Sequence, residues 1–174
     1  MYIDYYKIVS SILEHKEFEK RKEYMHHDNS SVYDHSLKVS IISYKVAKIL
    51  HLDKKSVAIG ALLHDFYYKP WLIEGKVVKN ESKIFLKGHG FVHARQALEN
   101  SYIHFPELMN SKIDDIIVKH MFPLNILPPV YLESWIVSLC DKYVSLEIFK
   151  SPKKLHKYVG IKSFPKINII KKRG

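Results

Sequence analysis

Seven of the side chains in this sequence that could hold a divalent metal recur at roughly one-helix intervals. His35 is followed by the doublet His64-Asp65, by His89 and His93, by His120 and finally by Asp141. A mixed shell of imidazole nitrogens and carboxylate oxygens suits Mn, Fe, Co, Ni or Zn better than Mg or Ca, which prefer oxygen alone. An ion of that kind lowers the pKa of bound water from about 15.7 to about 7, and two ions about 3.5–4 Å apart can align a hydroxide for in-line attack on phosphorus. The competing explanation is that each group is buried separately and finds its own hydrogen-bond partner. That explanation has to be repeated on four helical segments. One or two metal ions in the middle of a helical bundle, a common place for such sites, would serve all of them together.

The elements that must position these groups read as helices. The run from Val57 to Leu63 is wholly apolar and ends in His64-Asp65, so its helix is expected to be buried on nearly every side. Neighbouring side chains on a helix point about 100° apart, so the doublet is not expected to pair with itself. A helix over residues 32–50 carries His35, Val39, Ile42, Val46 and Ile49 on one stripe, which turns His35 to the core. The polar stretch 26–31 supplies its N-cap, and Asp53 caps the helix that leads to the doublet. Before them, residues 2–24 read as one helix whose end is decorated with Glu/Lys pairs. Residues 67–87 form a long aromatic and basic loop with a short strand near 76–78. A short helix follows over about 90–101. The next starts at Ser111, with Asp114 three residues on as a near capping box, and puts Ile113, Ile116, Ile117 and His120 on one face. Pro123 stops it. On the last helix, 131–149, Ser134, Ser138, Asp141 and Ser145 make a narrow small-residue face, which leaves room in front of the aspartate. Strand signals are nearly absent, so the fold class is all-α, a compact bundle of about six to seven helices.

His35, the His64-Asp65 doublet, His89, His120 and then Asp141 in Leu139-Cys140-Asp141-Lys142 resemble, in order and spacing, the HD-domain superfamily of metal-dependent phosphohydrolases. The resemblance covers roughly residues 30–149 and implies an all-helical fold. It implies that His35, His64, Asp65 and Asp141 hold a first metal, with His64 and Asp65 at the catalytic centre. It further implies that His89 and His120 hold a second metal where one is bound, with Asp65 bridging. Family spacing selects His89, while His93, one turn further on, is an additional candidate ligand. The doublet is followed here by Phe66-Tyr67-Tyr68-Lys69, where many relatives carry a small residue and then a lysine. Nothing after His120 matches the Gly-Tyr-Pro signature of the cyclic dinucleotide phosphodiesterases. Gly88-His89-Gly90-Phe91-Val92-His93-Ala94 and Lys119-His120-Met121-Phe122-Pro123-Leu124 look most like a bacterial branch of HD-domain hydrolases, and the likeness names no substrate.

Candidate phosphate contacts are Arg95, Lys69 and Lys142, with Lys83 and Lys87 behind them; the guanidinium fork of Arg95 matches phosphate geometry best. Tyr67, Tyr68 and Trp71 are available either to stack on a base or to fill core. Cys140, the only cysteine, excludes an intrachain disulfide and reads as a packing residue in a reducing, cytoplasmic setting. No apolar run approaches the roughly 20 residues of a membrane span, and the N-terminus lacks the pattern of a signal peptide. The net charge of +10 is concentrated at the C-terminus: nine basic residues and no acid lie between Lys150 and Arg173. Residues 1–149 are therefore expected to form one HD-type domain, with 150–174 a basic extension. The expected activity is hydrolysis of a phosphate ester of a nucleotide or other small phosphorylated metabolite. The alternative is a weakly active or inactive regulatory protein whose basic tail contacts nucleic acid.

Overall fold

A computed structural model describes the backbone of residues 2–24, 30–67, 72–73, 76–77 and 89–150, and the side chains of 3–24, 30–67 and 93–146. The basic extension and most of the loop between 68 and 88 lie outside the described residues. Seven α-helices are described: α1 (Tyr2–Leu13), α2 (Lys16–Glu19), α3 (Val32–Ile49), α4 (Lys54–Leu63), α5 (His89–His104), α6 (Ser111–Lys119) and α7 (Leu132–Lys150). Two short strands, β1 (Leu72–Ile73) and β2 (Lys76–Val77), pair antiparallel, so the strand expected near 76–78 has a partner just before it. The bundle is all-α in architecture. Among the described residues no helix is long and apolar enough to cross a membrane.

The centre of the bundle is α4. It packs against α1, α3, α5, α6 and α7, and every residue from Ser56 to Leu63 is buried. A helix enclosed in this way needs no polar face, which is why its sequence shows none. Ile59, Leu62 and Leu63 are each removed from water, an effect worth about 1.5–3 kcal/mol for each such side chain. Gly60 sets the approach of α6. A methyl group there would lie 2.9 Å from two carbons of the Ile116 side chain. Alanine would gain about 1 kcal/mol of helix propensity, but overpacking typically costs about 1–3 kcal/mol. The smaller side chain is therefore the one that lets α4 and α6 close together.

Capping fixes where the helices begin. Ser31 accepts from the Asp34 backbone N–H at 3.0 Å, and Asp53 accepts from that of Ser56 at 3.1 Å, both as the sequence indicates. On α6 the cap is Asn110, one residue before the expected start, and its side chain accepts from the N–H groups of Lys112 and Ile113.

Two expectations need correction. The single helix over 2–24 is broken after Leu13: His15 caps a new start by accepting from Glu17 N at 3.2 Å, and its ring packs on Phe105. Tertiary packing overrides the helical pattern here, and the chain turns through α2 into a 3₁₀ turn at Lys20–Lys22. The stripe of α3 also ends early. His35 and Val39 are fully buried, but Ile49 is 74% exposed, beyond the reach of the neighbouring helices.

Candidate metal centre

His64 and His120 sit in the same local structure. Each is the C-cap of its helix, α4 and α6, and each donates Nδ1–H to the carbonyl three residues back: Ala61 O and Ile117 O, both at 2.7 Å. A carbonyl oxygen can only accept, so the proton of each neutral ring is on Nδ1 and the lone pair is on Nε2. Both Nε2 atoms face inward, and the two rings meet edge-on with centroids 4.8 Å apart.

The carboxylates meet them there. The helix of α4 ends at Leu63, and the turn that follows brings the Asp65 carboxylate back onto its neighbour, with Oδ2 3.3 Å from His64 Nε2. The separation of side chains expected from helix geometry does not apply, because the doublet lies in the turn. Asp65 Oδ2 also lies 4.0 Å from His35 Nε2, while Oδ1 is 3.6 Å from Nε2 of both His93 and His120. Its two oxygens thus face two different sets of imidazoles. Asp141 Oδ1 comes from α7 to lie 3.0 Å from His35 Nε2 and 3.7 Å from His64 Nε2. Two groups have the closeness of a metal shell: His35, His64 and Asp141, and His64, Asp65 and His120, with ligand atoms within 4.8 Å of one another in each.

Burial makes this convergence costly without a cation. It pushes the His64 imidazole down, but the Asp65 and Asp141 carboxylates outweigh it and raise the ring well above its ordinary range. Burial alone would raise Asp65, yet the imidazoles of His64, His93 and His120 hold it well below the usual carboxylate range. Asp141 is depressed in the same way against burial by His35 and His64. His120 goes the other way: burial, reinforced by His64, pushes it down to about 4, so its ring is neutral at pH 7.

A family model for the HD domain matches residues 32–146, well over half of the chain. The chain belongs to the HD domain family. HD domains are, as a family, metal-dependent phosphohydrolases that bind divalent metals. Comparison with curated proteins and with solved structures gives no match.

A divalent cation suits this HD domain's inward-facing atoms. His64 Nε2 is buried and makes no hydrogen bond within range, and once it is deprotonated its lone pair is turned towards two anionic oxygens, where a cation can take the proton's place. His93, the additional candidate, is in the cluster, with Nε2 3.4 Å from His120 Nε2. His89 heads α5, and its side chain lies outside the described residues. His93 lies one turn further along the helix, and its ring reaches His120 at the end of α6.

The candidate phosphate contacts are placed differently. Arg95 is 82% exposed and pairs with Glu99 one turn away. Lys69, Lys83 and Lys87 lie outside the described residues, as do Tyr68 and Trp71. Tyr67 is buried, stacked on Tyr24 and edge-on to His93. Lys142 Nζ donates to His120 O at 3.0 Å, Ser138 O at 3.2 Å and Ser138 Oγ at 2.8 Å, which takes up all three of its N–H groups. Ser138 Oγ donates to the same His120 carbonyl at 2.8 Å. The small-residue face of α7 is therefore filled by the end of α6. Lys142→Met is expected to loosen His120 and weaken metal retention roughly tenfold, as loss of a supporting hydrogen bond behind a ligand does. Chelator competition measures this. An unchanged metal affinity with a raised KM would instead return Lys142 to phosphate binding.

Proposed function

We propose that this HD domain hydrolyses a phosphate ester of a nucleotide or another small phosphorylated metabolite, and that it uses one or two divalent transition-metal ions. The observation that carries the reading is His64 Nε2: buried, with its proton held on the other nitrogen by Ala61 O, and set among carboxylate oxygens with no hydrogen bond of its own. Lone pairs facing lone pairs in a buried site are repulsive until a positive charge enters, a proton on the ring in the metal-free protein or an ion that displaces it. His35, His64, Asp65 and Asp141 would hold one ion. Asp65 would turn its other oxygen to a second, held by His120 together with His89 or His93. Bound there, a divalent ion supplies a low-pKa water and a positive charge for a phosphoryl oxygen. The chain's own part is to keep His120 neutral as a donor, to hold both carboxylates ionised, and to fix the imidazole tautomers through Ala61 and Ile117. The family's coarse activity agrees with this arrangement.

The test is metal analysis of the purified protein, followed by a screen of phosphomonoesters and phosphodiesters, nucleotides among them, with added Mn, Fe, Co or Ni. Stoichiometric metal and turnover of at least one ester are expected. A protein that takes up no metal and is inert on every substrate would leave only a binding role, for which the basic residues 150–173 are the natural contact.

A further inference from the structure

Arg21 has no role in the metal set, yet it is fully buried, 0% exposed, in the 3₁₀ turn after α2. Its guanidinium lies over the Phe66 ring at 4.5 Å and the Tyr24 ring at 4.9 Å. Nη1 donates to Glu17 O at 2.9 Å and to Glu17 Oε1 at 3.1 Å. Nε and Nη2, which share the opposite edge, are buried and have no acceptor among the described residues. That edge offers the two parallel N–H groups that grip a phosphate or carboxylate in a bidentate manner. Leaving a buried donor unmatched is unfavourable, more so when it is charged. The local charge balance does not resolve this either. Glu17 shares its carboxylate with Lys20 at 2.6 Å, so one anion faces two cations.

The position of this edge relates it to the metal centre. Phe66, under the guanidinium, is the residue after Asp65. Tyr24, on its other side, stacks on Tyr67 with centroids 6.3 Å apart, and Tyr67 meets the His93 ring at 5.9 Å. One aromatic layer thus connects Arg21 to the imidazole that faces Asp65. We infer that the free Nε/Nη2 edge of Arg21 binds the phosphate group of the substrate beside the metal centre. This rests on the phosphohydrolase reading and supplies the phosphate contact that the exposed, already paired Arg95 does not.

The experiment uses the full chain loaded with Mn and inorganic phosphate as the probe, in wild type, Arg21→Met and Arg21→Lys, with metal content measured on the same samples. Phosphate affinity is expected to fall roughly ten- to a hundredfold in Arg21→Met, the loss of two charge-assisted hydrogen bonds. In Arg21→Lys it should fall at least about tenfold, because an ammonium is a point charge without a bidentate edge. Metal content should stay at the wild-type level, and KM for a hydrolysed ester should rise in step with the phosphate Kd. If Arg21→Met does not fold, Arg21→Lys decides, since it keeps the charge beside Glu17. A lower melting temperature in Arg21→Lys with unchanged phosphate affinity overturns the inference and leaves Arg21 a structural residue. A weakened phosphate Kd with an unchanged KM also overturns it, because the edge would then hold free phosphate and not substrate. Wild type that neither binds phosphate nor cleaves any ester sinks the phosphohydrolase reading itself, an outcome separate from the other two.

Discussion

Asp65→Ala is expected to remove both metal retention and hydrolysis while leaving the helical bundle folded. Of the two carboxylates, Asp65 alone turns its oxygens to different sets of imidazoles: Oδ2 to His64 and His35, and Oδ1 to His93 and His120. Removing it takes away the one anion common to both. It also leaves three imidazoles crowded together, with His120 Nε2 3.4 Å from that of His93. The residue lies in a turn, not inside α4, and contributes no apolar packing, so far-ultraviolet circular dichroism should change little. Activity should drop by several orders of magnitude, as expected when a charge that organises an active site is lost. Asp65→Asn separates charge from shape: it keeps the volume and should lose metal nearly as completely. Elemental analysis of both variants measures this. Wild-type metal content in Asp65→Ala would remove Asp65 from the ligand set and with it the one carboxylate that faces both sets of imidazoles.

How far the sequence leads can be judged residue by residue. His35 and His120 are legible because helical periodicity puts each on an apolar face, His64 because it ends a wholly apolar run, and Asp141 because small side chains flank it; the structure buries all four. The family pattern is legible for the same reasons. What is lost is local geometry that periodicity does not carry. His64 and Asp65 converge because α4 stops at Leu63 and the turn brings them together, which a helical reading of the doublet hides. His93 belongs to the cluster because of the phase at which α5 meets α6, and a short helix with a weak stripe does not fix that phase. Lys142 looks like a surface cation, but its ammonium is used up on the carbonyl of His120, the C-cap of α6, and on Ser138. Arg21 is the plainest case. In a continuous helix over 2–24 it falls among the solvated Glu/Lys pairs. The break at His15 turns it inward under Phe66, and only the three-dimensional arrangement exposes its empty edge.

Metal loading should expel a proton, and affinity should therefore rise with pH. Without metal, the Asp65 and Asp141 carboxylates outweigh burial and raise His64 well above its ordinary pKa of about 6.5. At pH 7 the ring is then protonated in the metal-free protein, and the ion that takes Nε2 must displace that proton. The carboxylates release none, because both are already depressed and ionised. His120 releases none either, since burial holds it down to about 4 and it is neutral. One proton per ion bound at His64 is expected, and so about a tenfold gain in affinity per pH unit until the raised pKa of His64 is passed. The same group fixes the stability of the metal-free protein. A raised folded pKa contributes stability that is fully present below about pH 6.5 and is lost as pH rises through the folded value. His120, with its depressed pKa, acts in the opposite sense, and its contribution is lost as pH falls from about 6.5 to about 4. The metal-free melting temperature should therefore fall on both sides of neutrality, while the loaded protein should hold its stability on the alkaline side, where the ion has replaced the proton. Titration calorimetry in two buffers of different ionisation enthalpy counts the protons directly. Zero protons released at pH 7, together with an affinity independent of pH between 6 and 8, would mean that no ion takes His64 Nε2.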